Sequence, residues 1–161
     1  MNYIIVDLDN CIANDAWRIP RINWQKSNPM DRYHDYHSLS AWDELGNTDI
    51  FAAHPDARVI IFTARPVLYA AITQEWLKRK GVEYDYLVMR NNNDHRPSLE
   101  LKRTMLGWLP DTYGVPLSDV VAAYDDRQDV VDMFSANGIA ARRRKLHNVC
   151  AYTNPEVKEP A

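Results

Sequence analysis

Tyr3-Ile4-Ile5-Val6-Asp7-Leu8-Asp9-Asn10 opens the chain with four apolar residues that run straight into two aspartates spaced two apart. An apolar run without alternation is the pattern of a strand covered by helices on both faces, as in a parallel sheet. Two further runs share it. Val59-Ile60-Ile61-Phe62 ends in Thr63, and Val120-Val121-Ala122-Ala123-Tyr124 ends in Asp125-Asp126. In open α/β sheets ligands bind at the carboxyl ends of the strands, so all three runs deliver their polar residues to one edge. Helical patterns alternate with them. Pro66 to Lys80 is expected as a helix stopped at Gly81, Pro97 to Trp108 as a second, and Arg127 to Ala136 as a third, stopped at Gly138. Tyr84 to Met89 and Ile139 to Ala141 read as further strands. The alternation predicts an α/β fold, Rossmann-like, with a mostly parallel central sheet flanked by helices.

Length and composition bound this reading. With 161 residues, 46% hydrophobic and 25% charged, one globular domain is expected, and disorder over the whole chain is excluded. The domain is expected over residues 1–148, with a small cap-like insert at 12–50 and a polar tail at 149–161. Cys11 and Cys150 are too few for a disulfide framework and lack zinc-site spacing, which suits a reducing, cytoplasmic setting. No apolar run approaches the ~18 residues of a membrane span, so no membrane association is expected. The formal charge of −3 argues against coating by nucleic acid through bulk charge, though not against a local basic groove.

The chemistry-bearing residues sit at the strand ends. Asp7 and Asp9 at one site repel each other unless a cation lies between them or one takes a proton. Magnesium takes hard oxygen ligands, often only one or two carboxylates from the protein. Read alone, Asp-x-Asp is equally a polar loop start. Asp125-Asp126 is costly without a positive partner, and Asp126 also reads as a helix N-cap. Thr63 with the following loop amides suits a phosphate cradle, or simply a cap. Lys102, alone, would be a solvated charge on a helix. Cys11 reads as filler of a small buried site.

In order along the chain, Asp7-x-Asp9, Thr63, Lys102 and Asp125-Asp126 resemble the haloacid dehalogenase superfamily of phosphohydrolases, over roughly residues 1–141. Within it, the chain is most similar to the 3′-phosphatase domain of phage-type polynucleotide kinase/phosphatase. Thr63-Ala64-Arg65 resembles the Ser/Thr-Gly-Arg of that group, Arg96 precedes Lys102 at its spacing, and Tyr124-Asp125-Asp126-Arg127 through Phe134 resembles its Asp-Asp-Arg stretch. There are departures. Asn10-Cys11 stands where Gly-Thr is usual, Ala64 stands for Gly, and Ser98 replaces an acidic residue. No GxxxxGK[ST] occurs, so a kinase half is not expected.

The resemblance implies a Mg2+-dependent phosphatase. Asp7 would be the nucleophile forming an aspartyl-phosphate, and Asp9 the acid and base. Thr63 and Lys102 would hold phosphoryl oxygens. Asp7, Asp126 and the Asp9 carbonyl would ligate the metal, with Asp125 orienting a bound water or Lys102. Arg65, Ala64, Arg96, Asn10, Arg18 and Trp24 are the expected substrate-binding residues. The expected partner is a phosphorylated nucleotide or nucleic-acid end, with no stable protein partner. The first substrate expectation is a nucleic-acid 3′-phosphate. The alternatives are a nucleoside monophosphate and, in another class, an inactive binding module that keeps the fold. Trp17, Trp24, Tyr33, Tyr36 and Trp42 of the insert read either as base-stacking groups or as a satellite core. His34 and His37 read as surface polar groups or, less simply, as a second metal site. Arg142-Arg143-Arg144-Lys145 reads as a solvated strand end or a phosphate-backbone contact.

Overall fold

The computed structural model describes residues 1–151. In chain order the elements are β1 (Tyr3–Val6), β2 (Ala13–Asn14), α1 (Pro29–Arg32), α2 (His34–Ser38), β3 (Glu44–Leu45), α3 (Asp49–Ala52), β4 (Arg58–Pro66), α4 (Ala70–Arg79), β5 (Tyr86–Arg90), α5 (Ser98–Thr112), β6 (Val120–Asp125), α6 (Gln128–Ala136) and β7 (Ala141–Arg143). Five strands form one sheet in the order β5-β4-β1-β6-β7, and each pairing is parallel. The alternation of side chains along β1 divides the core in two. Ile5 packs with Leu101, Met105 and Leu109 of α5 and Val130 and Phe134 of α6. Ile4 and Val6 face Trp76 and Leu77 of α4, with Leu8, Ile12 and Ile50 beside them. Both faces of the sheet are thus covered, which is why its strands carry continuous apolar runs.

The expected helices and strands are present with shifted ends. The helix expected from Pro66 begins at Ala70, because β4 runs on through Pro66 before a 3-10 turn at Val67–Tyr69. Pro66 has an extended ψ of 150°, and the ladder skips register between Thr63 and Pro66 to place Pro66 opposite Arg90. Helix α5 extends past Trp108 and Pro110 to Thr112, held by wholly buried Leu109, whose carbonyl accepts from Val115 N at 2.8 Å. The last two expected strands are displaced toward the carboxyl end, to Tyr86–Arg90 and Ala141–Arg143. Gly81 and Gly138 follow α4 and α6 with φ of 70° and 80°, the left-handed conformation that stops a helix.

The insert after β1 is built from short pieces. β2 and β3 pair as an antiparallel ribbon, with α1 and α2 between them. Ile19, Ile22 and Tyr36 form a third, small core, and Trp24 and Tyr33 pack against it. For these aromatics the satellite-core reading holds. Trp17 and Trp42 remain exposed. Ala151, placed by the sequence in the polar tail, is buried in that same small core, and residues 152–161 of the expected tail lie outside the described residues.

Trp76 ties the sheet to the insert. Its side chain is wholly buried, and its Nε1 donates to the carbonyl of Asp43 at 2.9 Å. Trp76→Ala is expected to cost about 3–5 kcal/mol in urea unfolding, and Trp76→Phe about 1–2 kcal/mol. Equal losses in both variants would assign the effect to the hydrogen bond rather than to burial.

Candidate active site

At the carboxyl end of β1, Asp7 N donates to the Tyr124 carbonyl at 3.0 Å, so its side chain emerges beside the end of β6. Lys102, one turn into α5, reaches the same point. Its Nζ lies 2.9 Å from Asp7 Oδ1 and 2.5 Å from Asp125 Oδ2, and the residue is only 2% exposed. The surface-lysine reading is therefore overturned. Asp125 Oδ1 accepts from Arg127 N at 3.0 Å, so both oxygens of Asp125 are engaged. Asp7 Oδ2 and Asp126 Oδ1, by contrast, are buried with no partner among the described residues. Oxygens of Asp7, Asp125 and Asp126 lie within 4.8 Å of one another. One ammonium against three carboxylates leaves two negative charges, the charge of one divalent cation. Hard oxygens, two of them orphaned, fit Mg2+.

The electrostatics of the cluster agree with its packing. Burial, and then the nearby Asp125 charge, push Asp7 well above the usual carboxylate range. The same two causes raise Asp126 to about 6. Burial opposes the charge of Lys102, but Asp125 and Asp7 outweigh it and hold its pKa above the ordinary value.

Asp9 stands in a different environment. After Leu8 the chain turns tightly: Cys11, Ile12 and Ala13 all donate to the Leu8 carbonyl at 2.9–3.0 Å, and Asn10 takes a φ of 61°. The turn aims the Asp9 carboxylate at two arginines. Arg18 Nη2 donates to its Oδ1 at 2.5 Å, and Arg65 approaches through Nη2 at 2.7 Å and Nε at 3.2 Å. Burial alone would raise the Asp9 pKa, yet Arg65 and Arg18 hold it well below the carboxylate range. Arg18 also donates to both oxygens of Asp43, at 2.7 and 2.9 Å, and its guanidinium lies 4.2 Å from the centre of the Tyr36 ring. Asp43 is completely buried, so a charge lost from this cluster leaves another unpaired.

A cleft of about 770 Å³ opens from these groups. Its lining includes Tyr33, Tyr36 and His37 of the insert and the basic Arg90, Arg96, Arg127, Arg143 and Lys145. His37 has no partner for its buried Nδ1 among the described residues, and burial drives its pKa down to about 3, so it is a neutral imidazole. A second metal at His34 and His37 finds no support, since His34 Nδ1 pairs with the Tyr69 hydroxyl at 2.8 Å.

The expected substrate-binding residues divide. Asn10, Ala64 and Arg96 line the cleft, with Arg96 also paired to Asp94 at 2.7 Å. Arg18 and Arg65 do not: both are completely buried, and their guanidinium groups are spent on Asp9, Asp43 and Thr73, so they hold Asp9 rather than reach into the cleft. Trp24 packs edge-on against Tyr33 at 5.9 Å, away from the cleft lining. Thr63 is buried and its Oγ1 accepts from Arg65 N at 3.1 Å. The Asp9 carboxylate faces the arginines and stands apart from the group formed by Asp7, Asp125 and Asp126. Asp126 makes no helix cap; α6 starts at Gln128, with Arg127 at its N-cap. Cys11 is completely buried and its thiol pushed up by burial, as expected of a filler. Sequence reasoning missed Asp43, Arg90 and His147. Each lies in irregular chain or at a strand end with no motif around it.

Comparison with known proteins agrees with this geometry. Residues 1–143 match the family described as the polynucleotide kinase PNKP phosphatase domain. Among solved structures, a chain of the Pnkp1/Rnl/Hen1 RNA repair complex is similar with a TM-score of 0.66 and 22% identity, over 88% of this chain and 42% of that one. The protein described here thus spans less than half the length of that chain. A putative phosphatase from Clostridium difficile (TM-score 0.63, 14% identity, 88% and 84% of the two chains) and a predicted phosphatase from Clostridium acetobutylicum (0.64, 14%, 87% and 82%) share the fold. No curated protein matches. No described helix is long and apolar enough to cross a membrane. With its parallel sheet, its acids at the strand ends and a family match over residues 1–143, the chain belongs to the polynucleotide kinase PNKP phosphatase-domain family, and is a phosphatase of the haloacid dehalogenase type.

Proposed function

We propose that the protein hydrolyses phosphomonoesters at nucleic-acid 3′ ends, with Asp7 as the nucleophile. The observation that carries this reading is the buried meeting of Asp7, Lys102, Asp125 and Asp126, with two carboxylate oxygens unpartnered, at the head of a basic cleft. Asp7, Asp126 and the Asp9 carbonyl would hold Mg2+. Bound there, it would neutralise charge so that an anionic nucleophile can meet an anionic phosphate.

The chain's own groups supply the remaining chemistry. An oxygen of the Asp7 carboxylate attacks phosphorus while the bond to the sugar oxygen breaks, giving an aspartyl-phosphate. The departing oxygen takes its proton from Asp9. Asp9 then removes a proton from water, whose oxygen attacks phosphorus, breaks the bond to Asp7 and releases inorganic phosphate. Lys102 keeps the Asp7 carboxyl in one orientation and offers its charge to the phosphoryl oxygens. Arg18 and Arg65 keep Asp9 ionised in the free enzyme. A phosphate dianion arriving beside Asp9 disfavours that ionised form, which favours uptake from solvent of the proton needed for the first step.

A cleft of about 770 Å³ is larger than a phosphate needs, and its aromatic and basic lining suits a nucleotide or a strand end. The family match and the RNA-repair assembly that contains a similar chain support a polynucleotide end.

Asp7→Asn is expected to abolish Mg2+-dependent phosphate release while the circular dichroism and melting curve stay near wild type; surviving hydrolysis would remove Asp7 as nucleophile. A release panel of 3′- and 5′-phosphorylated oligonucleotides and 3′- and 5′-mononucleotides tests the substrate. Fastest turnover is expected on the 3′-phosphorylated oligonucleotide, and a preference for mononucleotides would replace this reading with a nucleotidase. Arg96→Ala is expected to raise KM about tenfold for the oligonucleotide and far less for a small aryl phosphate, as loss of one charge-assisted contact of about 1.4 kcal/mol would. Arg65→Ala, which frees Asp9, is expected to lower kcat on both substrates alike.

A further inference from the structure

Residues 144–151 follow β7 and run back across the catalytic loop, outside the family match that ends at 143. The strap is anchored along its length. Arg144 donates to both Asp49 oxygens at 2.8 Å and to Asn47 Oδ1 at 2.9 Å. Leu146 lies so close over Gly46 that a Cβ there would stand 2.5 Å from Leu146 Cδ2. His147 Nε2 pairs with Asp15, whose other oxygen takes the Tyr36 hydroxyl at 2.5 Å. Ala151 is buried with Ile19, Ile22 and Tyr36.

Between these anchors the strap grips one side chain. The N–H groups of Leu146 and His147 both donate to Asn10 Oδ1 at 2.9 Å. With its oxygen so occupied, the carboxamide has only one orientation, and its Nδ2 faces the His147 carbonyl at 3.2 Å and Asp126 Oδ2 at 3.3 Å. A donor on Oδ2 fixes the Asp126 carboxylate and leaves Oδ1 as the buried, unpartnered oxygen of the cluster. Asn10 holds this place with a φ of 61°, a conformation asparagine tolerates. A glycine, usual here in the pattern the chain resembles, would satisfy the backbone and offer no side chain. Three of its side-chain bonds tie down the strap, and the fourth carries the amide to an acid of the cluster.

We propose that Asn10 is a positioning residue, through which the strap 144–151 holds Asp126 in the orientation that ligates a divalent cation. This rests on the reading that Asp7 and Asp126 hold Mg2+.

The test is Mg2+ titration by calorimetry on full-length proteins. Asn10→Gly removes the carboxamide and keeps the left-handed backbone at no steric cost. It is expected to bind Mg2+ about tenfold more weakly, as loss of a group that orients a ligand does, and to need about tenfold more Mg2+ for half-maximal phosphate release. Arg144→Ala with His147→Ala, which removes two strap anchors away from the cluster, is expected to weaken Mg2+ binding in the same direction. Added to Asn10→Gly, that pair brings no further loss, because both act through one contact. Unchanged Mg2+ affinity in Asn10→Gly with only a lowered Tm, or losses that add, would overturn the proposal. Absence of Mg2+ binding by the wild type would overturn both it and the metal reading. A clear affinity difference without 3′-phosphate release would uphold the positioning role and overturn the substrate assignment alone.

Discussion

The ammonium of Lys102 is the charge on which the site depends. Asp7 and Asp125 end neighbouring strands of a sheet closed on both faces, where two carboxylates side by side are prohibitive without a cation between them. Lys102 supplies that cation from α5, whose apolar stripe packs on the sheet and brings the lysine to the strand ends. It does not finish the neutralisation. Burial, and then the remaining negative charge shared with Asp126, raises the proton affinity of the acids. Arg18 and Arg65 treat Asp9 in the opposite manner, with two cations on one carboxylate, and the site therefore contains acids poised at opposite ends of the titration range.

The fold was legible because its signals are local. Tyr3 to Val6, Val59 to Phe62 and Val120 to Tyr124 are apolar on both faces, and Gly81 and Gly138 mark helix ends by a conformation few other residues adopt. Helix starts were harder. Pro66 suits the first turn of a helix and the last residue of a strand equally well, and only pairing with Arg90 chooses between them. The inner cluster was legible for the same reason as the sheet, since each acid directly follows an apolar run. The outer groups were not. Nothing around Asp43 in the sequence distinguishes it from a surface acid, and its role arises from Arg18 and Trp76 meeting it across the chain. Arg18 and Arg65 were found as residues but assigned to substrate, because sequence does not reveal whether an arginine beside an acid faces the cleft or the core.

The site divides by origin. The buried acids and Lys102 stand at the ends of strands and on α5, whose backbones are fixed by the sheet. The rest of the cleft is lined by the insert, the segment after β5 and the strap, which are short pieces joined by side-chain hydrogen bonds. Neutral His37 and the ring of Tyr36 line that space together with arginines.

The place of β1 has a dynamic consequence. It is flanked by β4 and β6, while β5 and β7 close the edges, so local opening that starts at a sheet edge reaches the strand that carries Asp7 last. Amides at the heart of the sheet should exchange with solvent only on global unfolding, whereas those of the short pieces around the cleft exchange through smaller fluctuations. The acid cluster and the lining of the cleft thus sit in regions of unequal rigidity, and warming loosens the lining before it reaches the acids.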